Sequence, residues 1–316
     1  MEIKNFNQED KKAGKTKMKK SLKIACLLFV IGVTVLVCLV AKDKKDKDII
    51  QELEALEKGV EVAKNDNSKK DSGKQSAEEK KLDKVLSLMS PRFQAELNEK
   101  IKNNKIDFIN ELLIVLQDEK DSEVEGCLPL YFLIDKKHKA QPEQYVPSNL
   151  KPLVKNNYYN ISRNDLSLRT DVEEKLVEMA KGAKKDGITL LVSSTYRSYE
   201  YQKNLFQKWV RIDGLEEAER ESAREGTSQH QLGVAIDFGS IDDSFIETKM
   251  GKWLNAHSEE YGWSLSFPQN YEDITGFRWE CWHFRYIGKN ACKFQNKWFN
   301  DVQQYMIEFI DAWKNN

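Results

Sequence analysis

Two short segments of this 316-residue chain carry the residues best suited to chemistry. They are Thr227-Ser-Gln-His-Gln-Leu-Gly-Val-Ala-Ile-Asp237 and Trp279-Glu-Cys-Trp-His-Phe-Arg285. Together they offer imidazoles and carboxylates at His230, Asp237, Glu280 and His283. Zinc in hydrolytic sites is bound by three such groups, and its fourth tetrahedral position is left to water. By residue type and spacing alone, the set fits a metal site and ordinary satisfied histidines about equally.

The sequence around Asp237 predicts a strand. Residues 233–238 alternate in size and polarity, which places Val234, Ile236 and Phe238 on a core face. Asp237 then lies on the opposite face among small residues, which leave room for a metal and a substrate.

The second segment cannot be one regular strand if its polar groups are to act together. Glu280 and His283, three residues apart, would point to opposite faces of an unbroken strand, so we expect a turn or bulge near Cys281. Glu280 is a poor fourth ligand, because a fourth protein ligand would close the site. A free carboxylate beside a metal-bound water suits a general base.

Three sequence blocks resemble the signature of the VanY-type D-alanyl-D-alanine carboxypeptidases, a branch of the M15, LAS-type zinc peptidases. Two are Ser228-x-His230-x-x-Gly233-x-Ala235-x-Asp237 and Glu280-x-Trp282-His283. The third, Ser193-Ser-Thr-Tyr-Arg-Ser-Tyr-Glu-Tyr-Gln202, is similar to the family's Tyr-Arg-Ser followed by Gln. The resemblance covers roughly Cys127 to the C-terminus, with the blocks in the family's order.

The resemblance implies a role for each matched residue. It makes His230, Asp237 and His283 the ligands of a Zn²⁺ cofactor and Glu280 the catalytic base. The implied reaction is hydrolysis of the C-terminal D-alanine from peptidoglycan stem peptides, during cell-wall remodelling.

The remaining matched positions are implied to meet the substrate. Arg197 would hold the substrate carboxylate or the developing oxyanion, for which its planar, charged fork is suited. Ser228 and Gln202 would line the site. One departure is visible: where relatives often place a proline before the glycine of the first block, this chain has Arg224-Glu225-Gly226.

Other activities would use the same residues. An L,D-carboxypeptidase, a dipeptidase or a peptidoglycan endopeptidase differs from the expected enzyme in the ends of its pocket. A non-catalytic, zinc-containing wall-binding module is an alternative of another class, but the retention of Glu280 and Arg197 counts against it.

The N-terminal part predicts a membrane anchor. Residues 24–41 form an uncharged apolar run of eighteen residues, just long enough to cross a bilayer as a helix. Lysines crowd the side that precedes it, which favours a cytoplasmic tail at 1–23 and an exported catalytic part. We therefore expect a single-pass protein of the bacterial cell membrane. The alternative, a cleaved signal peptide, lacks a convincing cleavage site, and the bulky Val37 argues against lipidation of Cys38.

Residues 42–125 are heavily charged and are expected to form a partly helical stalk or linker. Apolar residues recur at helical spacing over 49–62 and over 82–116, the latter interrupted by Pro91 after a capping Ser90. A small helical hairpin that binds a partner is the alternative to a stalk.

Residues 126–316 are long enough for one domain with its own core. The pattern predicts an entry strand at 128–134, a strand at 188–193, the two strands of the metal residues, and helices at 169–185, 199–209, 248–260 and 301–313. Strands and helices that do not strictly alternate indicate an α+β domain, here with a small antiparallel sheet flanked by helices.

Overall charge excludes little but points away from nucleic acid. Fifty basic residues balance fifty-one acidic ones, and neither a basic aromatic groove nor a phosphate-binding glycine loop is present in the sequence. The two other histidines, His138 and His257, are expected on a solvated loop and on a helix. Among the exported cysteines, a bridge between Cys281 and Cys292 is one possibility.

Overall fold

Three helices begin the part of the chain that the structure, a computed structural model, describes: residues 75–316. They are α1 (Ala77–Leu88), α2 (Pro91–Lys102) and α3 (Lys105–Asp121). The side chains of Ser76 and Ser90 cap the first two by accepting from the backbone N–H groups of Glu79 and Phe93. The predicted interruption at Pro91, between two helices, is present.

These helices pack against the last two helices of the chain, α8 (Lys289–Trp298) and α9 (Gln303–Asn315). Phe108 of α3 is fully buried, and its ring centroid lies 5.1–5.3 Å from those of Phe294, Trp298 and Phe309. Residues 75–316 accordingly form one compact unit. From Gln75 onward the segment expected to be a stalk packs in the same unit as residues 126–316, because each charged helix buries one apolar face.

The strands form two small sheets. β1 (Leu150–Pro152) pairs antiparallel with β3 (Ser167–Arg169). The second sheet has the order β2 (Tyr159–Ile161), β4 (Leu190–Ser194), β5 (Ala235–Phe238), β7 (His283–Tyr286) and β6 (Trp263–Leu265). The mixed α/β class, with small sheets flanked by helices, is confirmed. The second sheet is not wholly antiparallel, since β2 and β4 run parallel and are joined through β3 and α4 (Thr170–Lys185).

The other helices are α5 (Tyr199–Glu221), α6 (Lys249–His257) and α7 (Glu272–Thr275). The helices predicted at 169–185, 248–260 and 301–313 correspond to α4, to α6 with the 3-10 turn that follows it, and to α9. The helix predicted over 199–209 continues to Glu221, interrupted by Gly214, whose φ of 83° lies in the left-handed region.

The apolar run 128–134 is not a strand, so that prediction is wrong. Its backbone groups are paired with side chains instead. Arg169 and Arg285 donate to carbonyl groups within the run, and the carboxylate of Glu119 accepts from the N–H of Tyr131. These partners satisfy buried backbone groups that would otherwise need a neighbouring strand.

Cys127, Cys281 and Cys292 are free thiols, so the bridge considered for Cys281 and Cys292 is not formed. No helix between residues 75 and 316 is both long and apolar enough to span a bilayer. The apolar run at 24–41 and the helix predicted over 49–62 lie outside the described residues.

Candidate active site

Two central strands bring Asp237 and His283 face to face. In the antiparallel pair β5–β7, Asp237 is the direct register partner of His283. Asp237 Oδ1 lies 2.9 Å from His283 Nδ1, and both side chains are almost completely buried. The strand predicted around Asp237 is confirmed, although it begins at Ala235.

His230 reaches the same point from a 3-10 turn, Gln229–Leu232, that precedes β5. The Ser228 side chain begins this turn by accepting from the N–H of His230 at 3.3 Å. Gly233 ends it with a φ of 69°, a conformation that a residue with a Cβ rarely adopts. The turn thereby places the His230 ring 4.8 Å from the His283 ring, centroid to centroid, at an interplanar angle of 86°.

Hydrogen bonds behind the two imidazoles determine which nitrogens face each other. His230 Nδ1 lies 2.7 Å from the carbonyl oxygen of Thr195, and His283 Nε2 lies 3.2 Å from the amide oxygen of Gln229. Both partners are acceptors, so in the tautomer that leaves the opposite nitrogens free for a metal, each of these nitrogens carries the proton and donates it to its partner. His230 Nε2 and His283 Nδ1 therefore present lone pairs, 3.2 Å and 2.9 Å from the two oxygens of Asp237.

This arrangement fits a divalent cation. Two imidazole nitrogens and the two carboxylate oxygens of Asp237 converge here, and His230 Nε2 is buried without a hydrogen-bond partner. Ligand atoms of His230, Asp237 and His283 all lie within 4.8 Å of one another. Two imidazoles and one carboxylate are the donor set of a three-ligand zinc site.

Ionisation of the cluster also favours a cation. Burial, and then the charge of Arg197, lower the pKa of His230 to about 4, so the ring is neutral at neutral pH. Although burial opposes it, the neighbouring His230 and Arg197 hold the pKa of Asp237 well below its usual range. His230 and Asp237 are thus already in the protonation states that bind metal.

Glu280 stands beside the cluster without joining it. The chain turns at Cys281 and Trp282, with the N–H of His283 donating to the carbonyl of Glu280, which confirms the predicted turn. A carboxylate oxygen of Glu280 lies 3.7 Å from His283 Nδ1. Burial, and then the negative charge of Asp237, raise the pKa of Glu280 well above its usual range.

Arg197 lies in the cavity wall, between β4 and α5. Its guanidinium donates to Asp237 Oδ2 at 2.5 Å, to Ser194 Oγ at 3.0 Å and to the amide oxygen of Gln202 at 3.4 Å. Gln202 is fully buried and donates to the carbonyl of Ala223. Gln202 thus supports the Arg197 side chain from behind. It was expected to line the site, but it lies behind the cavity wall instead.

One cavity of about 250 Å³ joins these groups. Arg197, Ser228, the three candidate ligands and Glu280 all line it. Its walls include residues that the motifs did not single out: Tyr201, Leu205, Trp209, Phe267, Phe277 and Arg278. Tyr201, Leu205 and Trp209 are spaced four residues apart, which places them on one helix face and could have indicated from the sequence that they line a common surface. His138 and His257 lie elsewhere and contact Asp135 and Glu260.

The comparisons agree with this geometry. A family model described as VanY, D-alanyl-D-alanine carboxypeptidase, matches residues 165–289, which include every predicted site residue. VanXYC of Enterococcus gallinarum, a bifunctional D-Ala-D-Ala dipeptidase and D-Ala-D-Ala carboxypeptidase, is 31% identical over 168 residues, which are 49% of this chain and 82% of that protein. The chain belongs to the VanY family.

Two further relatives are similar to the same region. The protein YodJ of Bacillus subtilis (strain 168) is 36% identical over 168 residues, 51% of this chain and 61% of YodJ. A solved structure of the LdcB LD-carboxypeptidase has 30% identity and a TM-score of 0.50, covering 60% of this chain and 92% of that one. The chain spans about half to three fifths of the length of the first curated relatives.

Proposed function

We propose that this VanY-family chain is a zinc-dependent carboxypeptidase that removes the C-terminal D-alanine from peptidoglycan stem peptides. The observation that carries the proposal is the buried cluster of His230, Asp237 and His283, with its unpartnered nitrogen, in one cavity with Glu280 and Arg197. The names of relatives in the family supply the substrate class.

Zinc held by His230, Asp237 and His283 would supply a Lewis acid that makes water a stronger acid. Glu280 is placed to take the proton from water and return it to the leaving amine. Its raised pKa makes its ionised form a stronger base than an exposed glutamate. Once a substrate enters, the guanidinium of Arg197 offers fixed positive charge to a terminal carboxylate or a developing oxyanion.

The test is mass spectrometry of stem pentapeptide and tetrapeptide incubated with the full-length protein in detergent, with and without a chelator. Chelator-sensitive loss of one alanine from the pentapeptide supports the proposal. Glu280→Gln should lower the rate by about 10²–10⁴-fold while zinc stays bound, because proton transfer is lost but the ligands are intact. Glu174→Gln, an exposed change on α4, is the matched control. Retained activity in Glu280→Gln would exclude Glu280 as the base.

Removal of D-alanine from the tetrapeptide, an L,D-carboxypeptidase activity, is the second candidate. The observation that favours it is the similarity to the LdcB LD-carboxypeptidase, which is itself 92% covered by the match. Cleavage of the tetrapeptide alone would move the assignment to this activity. If folded, zinc-loaded protein cleaves neither the pentapeptide nor the tetrapeptide, both carboxypeptidase activities are refuted. An endopeptidase or a wall-binding module would then be the remaining hypotheses.

The proposal includes attachment to the bacterial cell membrane, with residues 1–23 cytoplasmic and the catalytic domain outside. The apolar run at 24–41 and the lysines before it support this placement. Full-length protein should sediment with membranes, and protease added to cells stripped of their wall should digest the catalytic domain. Protein that remains soluble, or is protected from the protease, would contradict the placement.

A further inference from the structure

Gln229, the residue immediately before His230, is buried. It lines the cavity and also contacts the imidazole of His283. Its amide oxygen lies 3.2 Å from His283 Nε2 and also accepts from the Ser266 hydroxyl at 2.7 Å. Because an amide oxygen can only accept, the proton of this contact belongs to His283 Nε2.

The orientation of this amide is set from its other end. Gln229 Nε2 donates to the amide oxygen of Gln303 at 3.4 Å, and Gln303 Nε2 donates to the carbonyl of Ser264 at 3.4 Å. A flipped Gln229 amide would place two oxygens against each other at Gln303. The chain of contacts from Ser264 therefore specifies which end of Gln229 meets the imidazole.

We propose that Gln229 is a positioning residue for the candidate zinc ligand His283: its amide oxygen holds the proton on Nε2 and leaves Nδ1 free to coordinate. The inference rests on the zinc site of the proposed function but not on the identity of the substrate. One 3-10 turn then supplies one ligand, His230, and orients the other.

A neutral amide suits this place electrostatically. Asp237 and Glu280 already put two carboxyl groups within 4 Å of His283 Nδ1. An amide orients the ring without adding a third negative charge to a site that is closed to solvent. Partners of this kind behind a ligand histidine typically change metal affinity by about 10–100-fold when they are removed.

The first test is zinc affinity, measured by competition with a chromogenic chelator. Gln229→Ala should bind zinc about 10–100-fold more weakly than wild type. Gln229→Glu keeps an acceptor at the same position, although it adds a negative charge and loses the donor to Gln303, and should bind zinc more tightly than Gln229→Ala. Gln231→Ala is the matched control, since Gln231 lies in the same turn but donates to the carbonyls of Glu143 and Tyr145, away from the imidazole.

The second test is the tautomer of His283 in the metal-free protein, read from long-range ¹H–¹⁵N correlations. Wild type and Gln229→Glu should show the proton on Nε2 alone, whereas Gln229→Ala should show both tautomers. If Gln229→Ala does not fold, the wild-type tautomer and Gln229→Glu still decide the matter, because a proton on Nδ1 in wild type overturns the proposal.

Three further results would overturn it. They are an unchanged zinc affinity in Gln229→Ala, a Gln229→Glu protein as weak as Gln229→Ala, and an equal loss in Gln231→Ala, which would show a general loosening of the turn. A wild-type protein that binds no zinc would refute the proposed function together with this inference. Tight zinc binding that does not depend on Gln229 would refute this inference alone.

Discussion

Replacing Phe108 with alanine tests whether the N-terminal helices belong to the catalytic domain. Phe108 is fully buried in α3, and its ring meets four aromatic rings of the C-terminal part at centroid distances of 5.1–6.0 Å. Removing a buried phenylalanine ring costs about 3–5 kcal/mol of unfolding free energy, because a cavity replaces its contacts. The dense aromatic surroundings favour the upper part of that range.

The effect on thermal unfolding can be estimated from the size of the domain. For a domain of about 150–250 residues, each kcal/mol lowers Tm by about 2–4 °C, so Phe108→Ala should lower Tm by about 8–20 °C. Unfolding is followed by circular dichroism and, independently, by zinc release. Because both signals report one core, both should shift together.

Ile106→Ala is the matched control on the same helix. Ile106 is 62% exposed, so its truncation should change stability by less than about 0.5 kcal/mol. The reasoning is refuted if Phe108→Ala shifts the helical signal but leaves the temperature of zinc release unchanged. That result would mean that α1–α3 unfold as a separate stalk.

Three other predictions concern pH, substrate and metal. Burial raises the pKa of Glu259 to about 8, so the folded state holds a proton that the unfolded state loses near its ordinary pKa of 4.5. Stability should therefore fall as pH rises between these values in denaturant titrations, and Glu259→Gln, but not the exposed Glu174→Gln, should flatten that slope. Trp209→Ala should raise KM about tenfold for a pentapeptide and less for a dipeptide, because this ring lines the cavity wall and a longer peptide covers more of that wall. Trp279→Ala, outside that cavity, should not raise KM, and an equal effect would place the peptide along a second groove, which Trp279 lines together with Arg220 and Pro268. Zinc at 100 times its Kd should raise the unfolding free energy by about 2.7 kcal/mol, a gain that a chelator or His230→Ala abolishes; stabilisation that survives His230→Ala would place the metal elsewhere.

The site was predictable because its residues are close in sequence to the elements that hold them. The alternation before Asp237 predicted its strand, and the three-residue interval between Glu280 and His283 required the turn that the structure contains. Gln229 was missed because the motif leaves its position, between Ser228 and His230, unspecified. Its role depends on Ser266 and Gln303, which the sequence does not place beside it.

The errors arose where distant side chains decide the local structure. The run 128–134 has the composition of a strand, but Arg169 and Arg285 take its carbonyl groups, and neither is adjacent in sequence. The charged helices after Gln75 read as a stalk because their composition is that of a solvated surface. Their apolar residues, among them Phe93 and Phe108, find partners in the last two helices and in the segment between them.

Contact between the first and last described helices has a consequence for biogenesis. Phe93 of α2 packs on Tyr305 and Phe309, which are synthesised long after it. The helices α1–α3 therefore lack these partners until α9 has been synthesised. A fold that joins its first and last described helices depends on contacts between residues far apart in sequence, and such contacts slow folding. Residues 75–316 should consequently complete their core only after α9 has emerged, and a chain truncated before α9 should stay sensitive to protease throughout α1–α3.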